Sequence, residues 1–168
     1  MASFDVAITK TLNFEGGDKY TETPGDTGGA TKYGISQRAY PHLNIKTLTE
    51  ADAKAIYKRD YWDKIQGDSI GNPYVAESIF DFAVNSGVST ASKAAQVAAS
   101  LVLYTSINAD GVIGPKTVEM LNRVDGGYFL AVFALQKITR YAAICNKNLV
   151  QSKFLLGWVN RTLQEWTQ

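Results

Sequence analysis

At 168 residues, with 45% hydrophobic and 20% charged positions, the chain carries enough apolar material for one compact core without covalent staples. Its single cysteine, Cys145, excludes an internal disulfide, and its place in the run Tyr141-Ala142-Ala143-Ile144-Cys145 predicts a buried structural thiol instead of a nucleophile. The net charge is +1, split between 9 basic and 12 acidic residues over 1–86 and 8 and 4 over 87–168; the basic residues are scattered as on a solvated face, so no nucleic-acid partner is expected.

Met1 to Asp5 lack the basic stretch and apolar run of an export signal, so the protein is expected to begin in a cytoplasm. Ser3 predicts a cap for a helix carrying Phe4, Ala7, Ile8, Thr11 and Leu12, which Gly16-Gly17 stops immediately after Glu15. The glycine-dense stretch near residues 17–36, with alternating Tyr20, Thr21 and Thr23, predicts a small β-hairpin or sheet. Leu48-Thr49-Glu50-Ala51-Asp52 offers a staple, a cap and early acids to a helix bearing Ala53, Ile56, Tyr57 and Tyr61.

Asn72-Pro73 then starts a helix with Val75, Ile79, Phe82 and Ala83 on one face, closed by Gly87. Ser89 is expected to cap a helix over Lys93 to Tyr104. The turn cluster Asn108 to Pro115 leads into Thr117 to Val124. Gly127 to about Asn148 forms one long apolar pattern, in which the run Tyr128 to Leu135 is too short to cross a bilayer and reads as a buried helix face. Leu155, Val159 and Leu163, with Trp158 and Trp166, predict the last helix; only Lys153 and Arg161 give it positive charge, a poor endowment for a membrane-active helix. About seven helices around one small β element are expected, with no repeat or flexible linker.

The chemistry concentrates at the front. A carboxylate beside the unsatisfied carbonyls of a helix C-terminus is discouraged from ionising, which suits Glu15 to a general acid. Asp26, in the turn Gly25-Asp26-Thr27-Gly28-Gly29, has backbone N–H groups and solvent to favour its charged form, as a base requires. Thr31 is placed to hold a water, and the glycines permit positive φ and close approach of a bulky ligand. Asp18 and Glu22 compete for the role of second carboxylate, and both leading residues also fit plain duty as a helix-end surface group and a turn former. His42, the only histidine, follows Pro41 in a surface turn, so no multi-histidine metal site is expected. Phosphate-binding, dinucleotide and serine-nucleophile motifs do not occur, and hydrolysis without metal or cofactor is the expectation.

The combination of Phe14-Glu15-Gly16-Gly17, Asp26-Thr27-Gly28-Gly29-Ala30-Thr31-Lys32-Tyr33-Gly34-Ile35-Ser36 and Asp81-Phe82-Ala83-Val84-Asn85-Ser86-Gly87 resembles the phage and prophage muramidases of glycoside hydrolase family 108. The resemblance continues through Asp110 to Thr117, similar to the family's C-terminal peptidoglycan-binding region, and through Phe154 to Arg161. It implies a mainly α (α+β) lysozyme-like bundle, with a catalytic lobe over 1–86 and a helical peptidoglycan-binding-like lobe over 87–168, packed as one unit. It also implies cleavage of the β-1,4 bond between N-acetylmuramic acid and N-acetylglucosamine, with Glu15 as acid. Asp26 and Thr31 are assigned by similarity to the Glu, Asp, Thr trio of phage-type lysozymes, whose intervals differ from those of this chain.

A polysaccharide substrate makes Tyr33, Tyr57, Tyr61, Trp62 and Asn85 candidate contacts, because aromatic faces stack on sugars and amides bond N-acetyl groups. The expected protein is an endolysin, monomeric, confined to the host cytoplasm until lysis and then acting on peptidoglycan in the periplasm or cell wall, without stable membrane insertion. A lytic transglycosylase and a non-catalytic wall-binding protein are the alternatives.

Overall fold

The computed structural model describes residues 2–14, 17–22 and 29–164, so Glu15 and Asp26 lie outside the described residues. Helix α1, Phe4–Phe14, begins where the Ala7 N–H reaches the Ser3 carbonyl at 3.2 Å and buries Ala7, Ile8, Thr11 and Leu12. Just beyond it, the Gly17 N–H donates to the Leu12 carbonyl at 3.0 Å, closing the turn with φ of 60°. Strands β1, Thr31–Lys32, and β2, Ile35–Ser36, pair antiparallel with Thr31 opposite Ser36 and Lys32 opposite Ile35. A bridge from Thr21 to Thr31 adds a third piece of chain.

The hairpin turns on Tyr33 and Gly34, at φ of 54° and 74°. Positive φ at both centres is what the type I′ form of a two-residue hairpin loop requires. A tyrosine there costs about 1–2 kcal/mol. It is held by its N–H on the Gly17 carbonyl at 3.1 Å and by its carbonyl, which accepts from the Tyr57 hydroxyl at 2.9 Å.

Helix α2, Glu50–Tyr57, starts on a reciprocal cap: Thr49 Oγ1 accepts from the Asp52 N–H and Asp52 from the Thr49 N–H. A π-helical turn over Lys58–Trp62 continues it and sends Trp62 into the core, 0% exposed, with its indole N–H on Asp68 at 2.7 Å. Gly67 packs so closely beneath that a Cβ would overlap the indole ring. Helix α3, Pro73–Ser86, is capped by Asn72, whose Oδ1 accepts from the Tyr74 and Val75 N–H groups. It is the central helix, burying Val75, Ala76, Ile79, Phe80, Phe82 and Ala83.

Gly87, at φ of 87°, turns α3 directly into α4, Val88–Val102. Ser89 therefore sits inside the first turn of α4 and does not cap it, and the helix starts five residues before Lys93: the positive φ of Gly87 leaves no linker in which a cap could stand. Helix α5 spans Pro115–Arg123, α6 spans Gly126–Lys147 behind the cap Asp125, and α7 spans Leu155–Gln164 after a 3-10 segment over Leu149–Phe154. Seven α-helices and one small antiparallel sheet among the described residues match the expected mainly α class.

Edge-to-face contacts knit the core: Phe4, Trp62 and Phe80 on one side, and Phe82 with Phe133 and Tyr141 on the other. Helix α7 stacks Trp158 on Tyr141 with ring centroids 5.2 Å apart. Cys145 is buried, as expected for a structural thiol. In the run Tyr128 to Leu135 only one face is core: Phe129 and Phe133 are buried, while Tyr128 and Leu135 are exposed. Lys137 departs from the solvated-face reading of the basic residues. It is 1% exposed, with Nζ donating to Ser78 Oγ at 3.0 Å and lying over the Phe133 and Phe82 rings.

Candidate active site

Thr31 is half-buried on β1, and the bonds that fasten it are main-chain: its N–H donates to the Thr21 carbonyl at 2.8 Å and its carbonyl accepts from the Thr21 N–H at 2.9 Å. Its hydroxyl takes no part in that pairing. Glu15 follows the last residue of α1 in sequence, and Asp26 falls between the described segments ending at Glu22 and resuming at Gly29. The rival carboxylates Asp18 and Glu22 are both exposed, and Glu22 accepts from the Tyr20 hydroxyl at 2.6 Å.

The five candidate glycan contacts divide. Tyr57 and Trp62 are core residues: the first is buried with its hydroxyl on the Tyr33 carbonyl, the second is packed among Phe4, Phe80 and Gly67. Neither offers a ring face to a polymer outside, and their aromatic area is spent on packing. Tyr33 is buried as well, beneath the hairpin turn. Tyr61 is half-buried with its ring 5.7 Å from that of Tyr57, and Asn85 is exposed on the last turn of α3. Tyr61 and Asn85 are thus the two with surface to give.

A groove runs between α1, α3, α6 and α7, lined by Ala7, Lys10, Thr11, Glu77, Asp81 and Arg161 among others. Ala7 and Thr11 on α1, and Glu77 and Asp81 on α3, recur at four-residue steps, so two ridges lie side by side. The next step along α3 is Asn85. Ion pairs cross the groove. Lys10 Nζ meets Glu77 Oε2 at 2.7 Å, and Arg161 grips Asp81 with Nη2 to Oδ1 at 2.6 Å and Nε to Oδ2 at 3.2 Å. Sequence reasoning passed over Asp81 and Arg161, although each stands in a motif segment quoted above.

Two other polar clusters are structural. Asp60 accepts from Arg59 and from the Tyr40 hydroxyl; the Arg59 guanidinium holds its carboxyl below the usual range, while burial, then the bond to Asp60, pushes the Tyr40 phenol up. In the second, the buried Gln96 donates through Nε2 to Asp110, the Val112 carbonyl and Thr117, and accepts the Gly111 N–H at 3.0 Å. The Gln96 amide, followed by the Val112 N–H, keeps the Asp110 carboxyl below its ordinary value.

Among the described residues no group of three His, Cys, Asp or Glu side chains converges as a metal site, and no helix is long and apolar enough to cross a membrane. His42 is exposed in its turn.

Residues 8–87 match the family model described as glycosyl hydrolase 108, and residues 90–163 match the one described as predicted peptidoglycan domain. Among solved structures, the fold is similar to the structure of Brucella abortus SagA, with a TM-score of 0.76 and 28% identity over 96% of this chain and 90% of that one. No curated protein matches the chain.

Proposed function

Because this chain belongs to glycoside hydrolase family 108 through residues 8–87 and carries a peptidoglycan domain over residues 90–163, and so is a peptidoglycan hydrolase, we propose that it is an N-acetylmuramidase. It cuts the β-1,4 bond between N-acetylmuramic acid and N-acetylglucosamine. One observation carries the reading: the glycosidase match spans Glu15, Asp26, Thr31, Tyr61 and Asn85 together, so the proposed acid, base, water holder and the two glycan contacts that reach the surface fall inside one matched segment.

Glu15, next in sequence after the last residue of α1, protonates the glycosidic oxygen as the bond to the anomeric carbon lengthens. Asp26 takes a proton from a water on the opposite face of the sugar, and the Thr31 hydroxyl, fixed by the main-chain bonds of β1, orients that water. The developing oxocarbenium charge is met by a carboxylate, and the anomer inverts. Tyr61 and Asn85 hold neighbouring sugars. The physiological setting we propose is a phage or prophage endolysin that lyses its host: a monomer that waits in the host cytoplasm, reaches the wall once a membrane lesion opens, and acts as an antibacterial there.

The test is digestion of purified peptidoglycan by wild type and Glu15→Gln, followed by mass spectrometry. Reducing muramic ends from wild type, and a loss of about 10²–10⁴-fold in Glu15→Gln, are expected. Anhydromuramic ends would make the protein a transglycosylase, and an undiminished Glu15→Gln would remove Glu15 from the chemistry. A β anomer released first would reject inversion.

A further inference from the structure

Resting on the reading that Asn85 binds the N-acetyl group of the glycan, we propose that Arg161 and Asp81 clamp the Asn85 amide in one orientation. Helix α7, outside the segment matched as a glycosidase, thereby sets the specificity of the substrate site for N-acetylated sugar.

The guanidinium of Arg161 lies in a two-point grip on the Asp81 carboxylate, and the two side chains are 19% and 20% exposed. A planar fork held at two points has little freedom to rotate. Asn85 stands one turn beyond Asp81 on α3, against the same guanidinium. With its Oδ1 facing Arg161, it accepts from Nη2 and from Nε, each at 3.1 Å; turned the other way, its N–H groups would oppose the N–H groups of arginine in exchange for only two long contacts to Asp81, at 3.4 Å to the carbonyl and 3.5 Å to Oδ2. The clamp therefore decides which end of the amide remains for a ligand. The end left over is the NH2 group, a pair of donors at the exposed terminus of α3.

Two donors suit an acetamido carbonyl. They repel the ammonium of a de-N-acetylated sugar, which has protons of its own and no acceptor. A serine or an unclamped asparagine would lack that bias, since a rotating amide offers its carbonyl as readily as its nitrogen. Arg161 acts here through Asn85 and touches no reacting atom, so it is a positioning residue.

Kinetics on N-acetylated and partly de-N-acetylated peptidoglycan test the clamp in the full-length protein. Asn85→Ala is expected to raise KM for the acetylated glycan about tenfold, with kcat within about twofold of wild type, the value of one lost hydrogen bond. Arg161→Gln should raise KM to a similar degree and shrink the preference for acetylated glycan; Arg161→Lys, which keeps one donor, should recover part of both. The double variant Arg161→Gln with Asn85→Ala should be no worse than Asn85→Ala alone, because both act on one contact.

Arg161→Gln leaves Asp81 uncompensated, so the paired variant Asp81→Asn with Arg161→Gln keeps the test open if the single variant unfolds. KM penalties that multiply in the double variant, or an Arg161→Gln effect confined to the melting temperature, would overturn the clamp. An Asn85→Ala at wild-type KM would overturn it too, by removing Asn85 from the site, while leaving the muramidase reading standing. Only a wild type without muramic-releasing activity would strike that underlying reading.

Discussion

Two glycine-bearing loops of this chain use the same residue types to opposite ends. Around Asn108 to Pro115, the Asp110 carboxylate accepts from Gln96 and from the Val112 N–H, the Thr117 hydroxyl accepts from Gln96, and the Gly111 N–H is spent on the same amide. The Asp110 carboxylate, the Gly111 N–H and the Val112 carbonyl of that motif all meet one buried glutamine. Around Ala30 to Ser36, Thr31 is fastened by its main chain: it pairs with Thr21 on one side and sits in a hairpin where the Gln37 N–H donates to the Ala30 carbonyl and the Tyr33 N–H to that of Gly17. A loop tied by its side chains has none to lend to a ligand, whereas a loop tied by its backbone keeps its hydroxyl outside the pairing. A shared vocabulary of Gly and Thr is thus no guide to chemistry until the fasteners are known.

Gln96→Leu should break the first loop outright. It strands the buried Gly111 N–H and removes the partner of Asp110 and Thr117, at a cost of about 2–3 kcal/mol, read from urea unfolding. Muramidase activity at low temperature should survive it. The two threonines sharpen the contrast further. Thr31→Val should lower kcat about tenfold with little change in melting, because it deletes the proposed water-holding hydroxyl. Thr117→Val should do the reverse, lowering stability by about 1 kcal/mol and sparing kcat.

The smallest expected effect is titration of Asp110. Its folded-state pKa is lowered, chiefly by the Gln96 amide, so its contribution is present above the unfolded carboxylate value near about pH 4 and is lost as pH falls through the folded value. Asp110→Asn should flatten this acid limb in melting temperatures recorded from about pH 6 down to 2, while the limb due to Asp68, whose carboxyl is lowered first by the Trp62 indole N–H, remains.

Local spacing carried much of the fold. The cap at Thr49 and Asp52 and the Asn72-Pro73 start are decided by neighbours in sequence, and the helices begin where those residues stand. Ser89 misled because its cap chemistry is real but the positive φ of Gly87 acts first. Tyr57 and Trp62 misled for a different reason. An aromatic at helical spacing carries no mark of the face it takes, and the π-helical turn at Lys58–Trp62 changes the step along which the face is counted. The pairing of Asp81 with Arg161, eighty residues apart, and the burial of Lys137 depend on how helices pack, which scattered charges along a chain do not encode. Glu15 and Asp26 are proposed from helix-end and turn chemistry respectively, and both fall within the matched residues 8–87.

Gly87 stands at the seam between the two matched segments, yet it is one residue wide and bonded on both sides: its N–H donates to Ala83 and its carbonyl accepts from Ala91. Across that seam the Phe82 ring rests on Phe133 and Tyr141. Recombination at this joint would not exchange beads on a string. A crossover that imported a foreign rear half would have to bring rings that fit Phe82 and an arginine that reaches Asp81, so hybrid hydrolases spliced here are expected to keep function only when the imported half supplies both.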